Sequence, residues 1–133
     1  MAAPPQIRRV HYDDFFALTS QGVSDLAAFR RAIAQVVAEM GDPAACAIVI
    51  DVRTAVLPPL PRMLLVQAMA YLYAQGLGRV NKVALVVDRD DHVRRDRAAE
   101  IERIAGAMMM RLRSFTDYAA ALDWLTEKAP GAP

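Results

Sequence analysis

Hydrophobic residues occur along this chain in two patterns, short continuous runs and longer stretches with helical spacing. The clearest runs are CAIVIDV, residues 46–52, and VALVV, residues 83–87. A continuous apolar run of this length is typical of a strand that is buried on both faces of a parallel sheet. The pattern therefore predicts two central strands, parallel and adjacent to each other, with helices covering the sheet.

Four longer stretches have apolar residues every three or four positions, which indicates amphipathic helices. Gly, Pro and hydroxyl residues mark their ends, since these residues favour helix caps and breaks. The predicted helices are residues 24–40, with Ser24 as N-cap and Gly41-Asp42-Pro43 as the stop; Arg62 to Gln75, closed by Gly76 and Gly78; Arg94 to Met109; and Asp117 to Glu127, capped by Thr116.

Three weaker alternating segments complete the pattern. Gln6–Tyr12 and Phe15–Ser20 suit an antiparallel hairpin that Gln21-Gly22 closes, and Leu112 with Phe115 marks a last strand. The predicted order is ββαβαβαβα. Strands that alternate with helices imply crossover connections, so we expect an α/β fold with a mixed, mostly parallel sheet flanked by helices.

Length and composition indicate one globular domain. The chain has 133 residues, of which 55% are hydrophobic and 23% charged. We assign residues 6–128 to the domain, and 1–5 and 129–133, which are rich in Pro and Ala, to flexible ends. A net charge of +1 excludes a global field that would attract nucleic acid. No apolar run reaches the roughly 20 residues of a membrane span, and Cys46 is the only cysteine, so we expect a cytoplasmic protein.

The strand IVIDVR with its following loop and helix, the strand KVALVVD, and the ending RLRSFTDYAAALDWL resemble the SpoIIAA-like branch of the STAS domain family. The resemblance covers residues 7 to 127. It implies a small sheet-and-helix fold and a non-enzymatic role as a regulatory or protein-interaction domain. Because this branch is related to the lipid-binding SEC14 fold, the resemblance also implies an apolar or lipid-like ligand as one candidate for binding.

One segment departs from the family pattern. Antagonist members carry a phosphorylatable Ser, in a D-S-S-G type motif, at the start of the helix after the central strand. The corresponding segment, DVRTAVLPPLPRML, holds no Ser, and its only hydroxyl is Thr54. The residues that take the place of the regulatory loop are Thr54, Leu57, Pro58, Pro59 and Leu60. We therefore expect no seryl phosphorylation switch here.

Asp51 and Asp88 end the two buried strands, at the edge of a parallel sheet where ligands bind. Paired carboxylates there suit Mg²⁺, which makes a metal-dependent enzyme or phosphoacceptor domain the alternative function. Strand-end Asp residues more often stabilise turns. We favour the turn role, since no Lys, Ser or Thr stands at a matching strand end, and we expect no catalytic residue and no cofactor.

The helix at residues 62–75 is unusual, because residues 63–73 contain only one polar side chain, Gln67. A surface helix in a two-layer domain should show a polar face. We expect its outer face to lie in a homodimer interface or to line an apolar pocket, with Met63, Leu64, Tyr71 and Tyr73 as the contact residues. A second copy is the simpler occupant, since it requires no further ligand; a protein partner or an apolar small molecule are the alternatives.

Overall fold

The computed structural model describes residues 6–11, 15–23, 26–41, 46–56, 61–79 and 81–126. Its element order confirms the predicted ββαβαβαβα pattern. The elements are β1 (Gln6–His11), β2 (Phe15–Val23), α1 (Leu26–Met40), β3 (Ala47–Val56), α2 (Arg62–Ala74), β4 (Val83–Val86), α3 (His92–Ala107), β5 (Leu112–Phe115) and α4 (Tyr118–Thr126).

The strands of the described residues form one sheet in chain order, β1-β2-β3-β4-β5. β1 is antiparallel to β2, while each later pair is parallel. β3 and β4 are neighbours, with Ile48 opposite Val83 and Asp51 opposite Val86. The mixed, mostly parallel α/β sheet and the adjacency of its two central strands are thus confirmed.

Helices cover both faces of the sheet. When parallel strands lie side by side in the order in which they occur along the chain, right-handed crossovers place every connecting helix on the same face of the sheet. Accordingly α1, α2 and α3 pack on one face, and α4, which follows the last strand, packs on the other. Ile48 and Val49 of β3 point to opposite faces and are both fully buried. This burial on two sides explains the unbroken apolar run from which β3 was predicted.

Two strands are longer than predicted. β2 continues to Val23 and β3 to Val56, because Gln21 and Gly22 pair with Thr54 and Ala55 across the parallel ladder. The prediction that Gln21-Gly22 closes the hairpin was wrong: backbone pairing with β3 overrides the local turn preference, with a register irregularity between Thr19 and Gln21. Thr54 consequently lies in β3 and not in a loop.

Helix starts also differ by a few residues. α3 begins at His92, because the Asp91 side chain accepts a hydrogen bond from the backbone N–H of Arg94 (3.1 Å). At α4 the capping side chain is Asp117, whose Oδ1 accepts from the Ala119 N–H (3.1 Å), and not the predicted Thr116. A carboxylate at this position also interacts favourably with the helix dipole. The proposed cap Ser24 and the turn at Asp13-Asp14 lie outside the described residues.

Within the described ranges, none of the helices is both long enough and apolar enough to cross a bilayer. The chain ends assigned to residues 1–5 and 129–133 also lie outside the described part.

Candidate functional site

Helix α2 lies at the centre of the three-helix face. Leu65, Met69 and Leu72 point inward and are each 3% exposed, so this side of α2 is packed on the core. Pro61 stands at the N-cap without a side-chain capping bond, which agrees with a proline at the helix start. The neighbours α1 and α3 both contact α2. The helix is therefore held by its own chain on its inner side and along both flanks.

The outer side of α2 is apolar and open to solvent. Met63 is 71% exposed, Val66 43% and Tyr73 37%, and Ala70 between them is also exposed. Steps of three and four residues place these side chains on one helix face. We call Met63, Val66, Ala70 and Tyr73 the α2 stripe. The helix contains no Asp or Glu, so no acidic residue within it interrupts the stripe.

The four contact residues predicted from the sequence divide between two sides of the helix. Met63 and Tyr73 belong to the α2 stripe, whereas Leu64 and Tyr71 are half-buried. The Tyr71 hydroxyl donates to the backbone oxygen of Arg30 (3.2 Å), and the Arg30 guanidinium lies 5.2 Å from the Tyr71 ring centroid. Val66 was not among the predicted contact residues, although it lies three residues from Met63 and therefore on the same helix face.

Arginines border the α2 stripe. The Arg79 guanidinium lies 4.9 Å from the ring centroid of Tyr73. On the α3 side, Glu100 accepts ion pairs from Arg62 (3.1 Å) and Arg103 (2.5 Å). The hydrogen bond from Arg103, with the charge of Arg62, lowers the pKa of Glu100. This carboxylate therefore stays ionised between two guanidinium groups.

At the carboxyl edge of the sheet, Asp51 is buried and bonded to Arg53 of the same strand. Arg53 Nε donates to Asp51 Oδ1 (3.0 Å) and Nη2 to Oδ2 (2.8 Å), and the Arg53 backbone N–H also donates to Oδ1 (3.1 Å). The side-chain hydrogen bond to Asp51 raises the pKa of Arg53. The Arg53 guanidinium lies 5.3 Å from the ring centroid of Tyr118 in α4. Both oxygens of Asp51 thus have a cationic partner in its own strand.

Asp88 lies in the turn between β4 and α3, where its Oδ1 accepts from the backbone N–H of Asp90 (3.0 Å). Arg94 anchors the same turn, because its Nη1 donates to the Val52 carbonyl (2.9 Å) and its Nε pairs with Asp91 (3.2 Å). Among the described residues, no three His, Cys, Asp or Glu side chains converge on a point where a metal ion would sit. The geometry gives Asp51 an ion pair and Asp88 the turn-stabilising role.

A cleft of about 400 Å³ opens beyond β4 and β5, between α3 and α4. Its floor includes the buried residues Val87 and Ala98, and the exposed side chains of Arg95 and Asp117 lie along it. Neither Asp51 nor Asp88 lines it. This cleft could not be predicted from the sequence, because its walls come from two helices on opposite faces of the sheet.

The segment that matches the family's regulatory loop is described only at its two ends. Thr54 is exposed in β3, and Pro61 precedes α2. Leu57, Pro58, Pro59 and Leu60 lie outside the described residues. The expected absence of a seryl phosphorylation switch stays a prediction.

Neither a protein-family model nor a curated protein matches this sequence. Solved structures do match its fold. One is an anti-sigma factor antagonist from Mycobacterium paratuberculosis, with a TM-score of 0.60, 20% identity, and coverage of 96% of this chain and 100% of the other. Another is an uncharacterized protein of the DUF3478 family with a SpoIIAA-like fold, from Shewanella loihica PV-4, with a TM-score of 0.59, 15% identity and coverage of 94% and 98%. The chain has a STAS-type, SpoIIAA-like fold, which confirms the fold that the sequence resemblance implied.

Proposed function

We propose that this protein is a regulatory domain that acts by binding a protein through the α2 stripe, without catalysing a reaction. The observation that carries the proposal is the exposure of Met63, Val66 and Tyr73 along one face of a helix whose other sides are packed. Contiguous apolar surface of this kind marks interaction sites in soluble domains. Met and Tyr are also enriched in protein interfaces.

The fold supports the same function. One similar structure is named an anti-sigma factor antagonist. That name describes action on another protein, for which a rigid exposed surface is suited. Here α2 is such a surface, because it is fixed to the core through Leu65, Met69 and Leu72.

The two other occupants expected from the sequence, a second copy and an apolar ligand, act at the same surface. The inner side of α2 is closely packed, with Leu65, Met69 and Leu72 nearly inaccessible. An apolar ligand would therefore lie over the α2 stripe and not beneath the helix. The cytoplasmic location expected from the sequence is part of the proposal, and the buried Cys46, which is not in a disulfide, agrees with it.

The metal-dependent alternative has less support. Arg53 donates hydrogen bonds to both carboxylate oxygens of Asp51, so a divalent ion would have to displace a bidentate ion pair. Asp88 is engaged in its turn. We therefore favour protein binding at the α2 stripe over metal-dependent catalysis at the carboxyl edge of the sheet.

Site-specific photo-crosslinking in cells tests the proposal. The photoreactive residue benzoylphenylalanine replaces Val66, and a matched variant carries it at Asp123, which is exposed on α4 across the sheet. We expect a defined protein adduct at position 66 and none at position 123. Equal adducts at both positions, or none at either, would contradict a docking role for the α2 stripe.

A further inference from the structure

We infer that the partner presents an acidic amphipathic helix, whose apolar side covers the α2 stripe and whose Asp and Glu residues meet the bordering arginines. The inference rests on the proposed function, since it assigns the chemistry of the protein that occupies α2. The acidic character of the partner follows from the charges around the stripe, because the apolar residues of the stripe indicate only that the partner has an apolar side.

Two arginines lie over tyrosine rings of α2. Arg79 lies over Tyr73, a stripe residue, and Arg30 lies over Tyr71 at the α1 flank. Neither guanidinium forms an ion pair with an acidic side chain of the described residues. A guanidinium attracted to the face of a ring can still donate N–H hydrogen bonds to carboxylates.

Acidic residues are scarce around α2. Residues 52–87, which include all of α2, contain no Asp or Glu. On the α3 flank, Glu100 is shared by Arg62 and Arg103, so one negative charge meets two positive ones. The Arg62 side chain is 78% exposed and the Arg103 side chain 69%. The border of the stripe is therefore basic, although the whole chain carries only +1.

A second copy fits this surface poorly. A two-fold dimer brings the same patch together from both chains. The basic border would then face another basic border, and like charges that meet across an interface oppose association. An acidic partner turns the same charges into attraction and fixes the register of the contact.

An anionic membrane also attracts basic and apolar surfaces, but α2 lacks the usual pattern. Membrane-surface helices carry many Lys and Arg on their polar face. α2 itself carries only Arg62, and the other cations come from neighbouring elements. Guanidinium groups held in fixed positions match carboxylates, which accept two parallel hydrogen bonds.

The stripe also sets the size of the partner segment. Met63 to Tyr73 spans ten helical steps, or roughly 15 Å. A partner helix of about three turns covers this length, with apolar residues at three- and four-residue spacing and acidic residues beside them.

The experiment uses two labelled peptides and the full chain. Both peptides are helical, of about three turns, with the same Leu and Ala on the apolar face; one has Glu at every flanking position and the other has Lys. Fluorescence anisotropy measures their binding. We expect the Glu peptide to bind at least about tenfold more tightly, with an affinity that falls as salt is raised.

Charge reversal makes the test specific. Arg79→Glu should weaken the Glu peptide and strengthen the Lys peptide. Arg89→Glu, at an exposed site in the β4–α3 turn, is the matched control and should change neither affinity. Circular dichroism melts of each variant show that the fold is intact.

Other outcomes overturn the inference and separate it from the proposed function. Equal binding of both peptides means that the α2 stripe binds proteins without a preference for acidic residues. Binding of neither peptide, while position 66 still forms protein adducts in cells, rejects the acidic helix and keeps the function. A dimer in sedimentation that Val66→Asp dissociates identifies a second copy. Binding to phosphatidylserine vesicles that Val66→Asp abolishes, with no peptide binding, identifies a membrane.

Discussion

Helices α2 and α3 end in the same backbone motif built on different residues. In α2, Gly76 has φ 86° and the Leu77 N–H donates to the Leu72 carbonyl (3.0 Å). In α3, Met109 has φ 59° and the Met110 N–H donates to the Ala105 carbonyl (2.8 Å). Both are Schellman ends, which normally place glycine in the left-handed position.

Replacing Met109 with Gly should stabilise the protein. A side chain in the left-handed region costs roughly 1–2 kcal/mol. Glycine removes this cost, but part of the gain is offset because glycine loses more conformational entropy on folding. The Met109 side chain is 88% exposed and contributes little packing. We expect a gain of about 1 kcal/mol in the free energy of unfolding, measured by urea denaturation. Met109→Ala is the control and should change little; an equal gain with Ala would show that removing the side chain, and not the backbone, is responsible.

Asn81 joins the end of α2 to the start of β3. It is 5% exposed, its Oδ1 accepts from the Gly78 N–H (2.8 Å), and its Nδ2 donates to the Cys46 carbonyl (2.9 Å). Gly78 cannot easily carry a side chain, since its φ is 82° and an added Cβ would lie 2.9 Å from Met110. A single amide thus holds the tight turn between α2 and β4.

Asn81→Ala should destabilise the fold by about 2–4 kcal/mol, because two buried backbone groups lose their partners. The matched control is Gln67→Ala, which removes an exposed amide from α2 and should change stability by less than about 0.5 kcal/mol. Thermal and urea unfolding measure both. If the two variants are equally stable, the Asn81 hydrogen bonds do not hold this turn.

Among the elements, α2 serves two purposes on opposite sides. Its inner residues complete the core, and its outer residues form the α2 stripe. The helix is therefore apolar on both sides for two different reasons. Its inner residues are buried by the chain itself, and its outer residues are exposed for a partner.

A pair of adjacent substitutions in α2 separates these purposes. Leu65→Ala should cost about 2–5 kcal/mol of stability, because it leaves a cavity beneath the helix. Val66→Asp should leave the unfolding free energy within about 0.5 kcal/mol. It should also abolish the protein adduct formed when benzoylphenylalanine replaces Met63, which is 71% exposed on the same stripe. A large loss of stability with Val66→Asp would mean that the stripe is part of the fold and not a free surface.

For the whole molecule, the distribution of charged residues indicates more about binding than the net charge of +1 does. Nine of the 15 acidic residues follow Val87, whereas residues 52–87, which include α2, contain none. Asp51 and Asp88, the carboxylates that first suggested a metal, are engaged by Arg53 and by the turn.

Magnesium should therefore leave the stability of the intact protein unchanged. A ligand that binds only the native state, at a hundredfold excess over its Kd, adds about 2.7 kcal/mol and raises Tm. We expect identical thermal melts with millimolar MgCl₂ and with EDTA. A higher Tm with Mg²⁺ that Asp51→Asn removes would support the metal-dependent alternative.

Much of this architecture follows from the sequence. The runs at β3 and β4 predicted central parallel strands because only burial on both faces tolerates continuous apolar residues. The ending RLRSFTDYAAALDWL correctly indicated the last strand and helix and the SpoIIAA-like fold. The extension of β2 and β3 was not predictable in this way, because Gln21 and Gly22 are turn formers that only the neighbouring strand keeps extended.

The candidate site was predictable only in outline. That α2 has too few polar residues for a surface helix can be read from the chain alone, since composition and spacing are local properties. Only the folded structure shows that Tyr71 packs toward α1 and that Val66 is exposed. It also places Arg79 over Tyr73, Arg30 over Tyr71, and Arg103 beside Glu100. These arginines come from separate parts of the chain, and only the packing of helices on one sheet face brings their charges together.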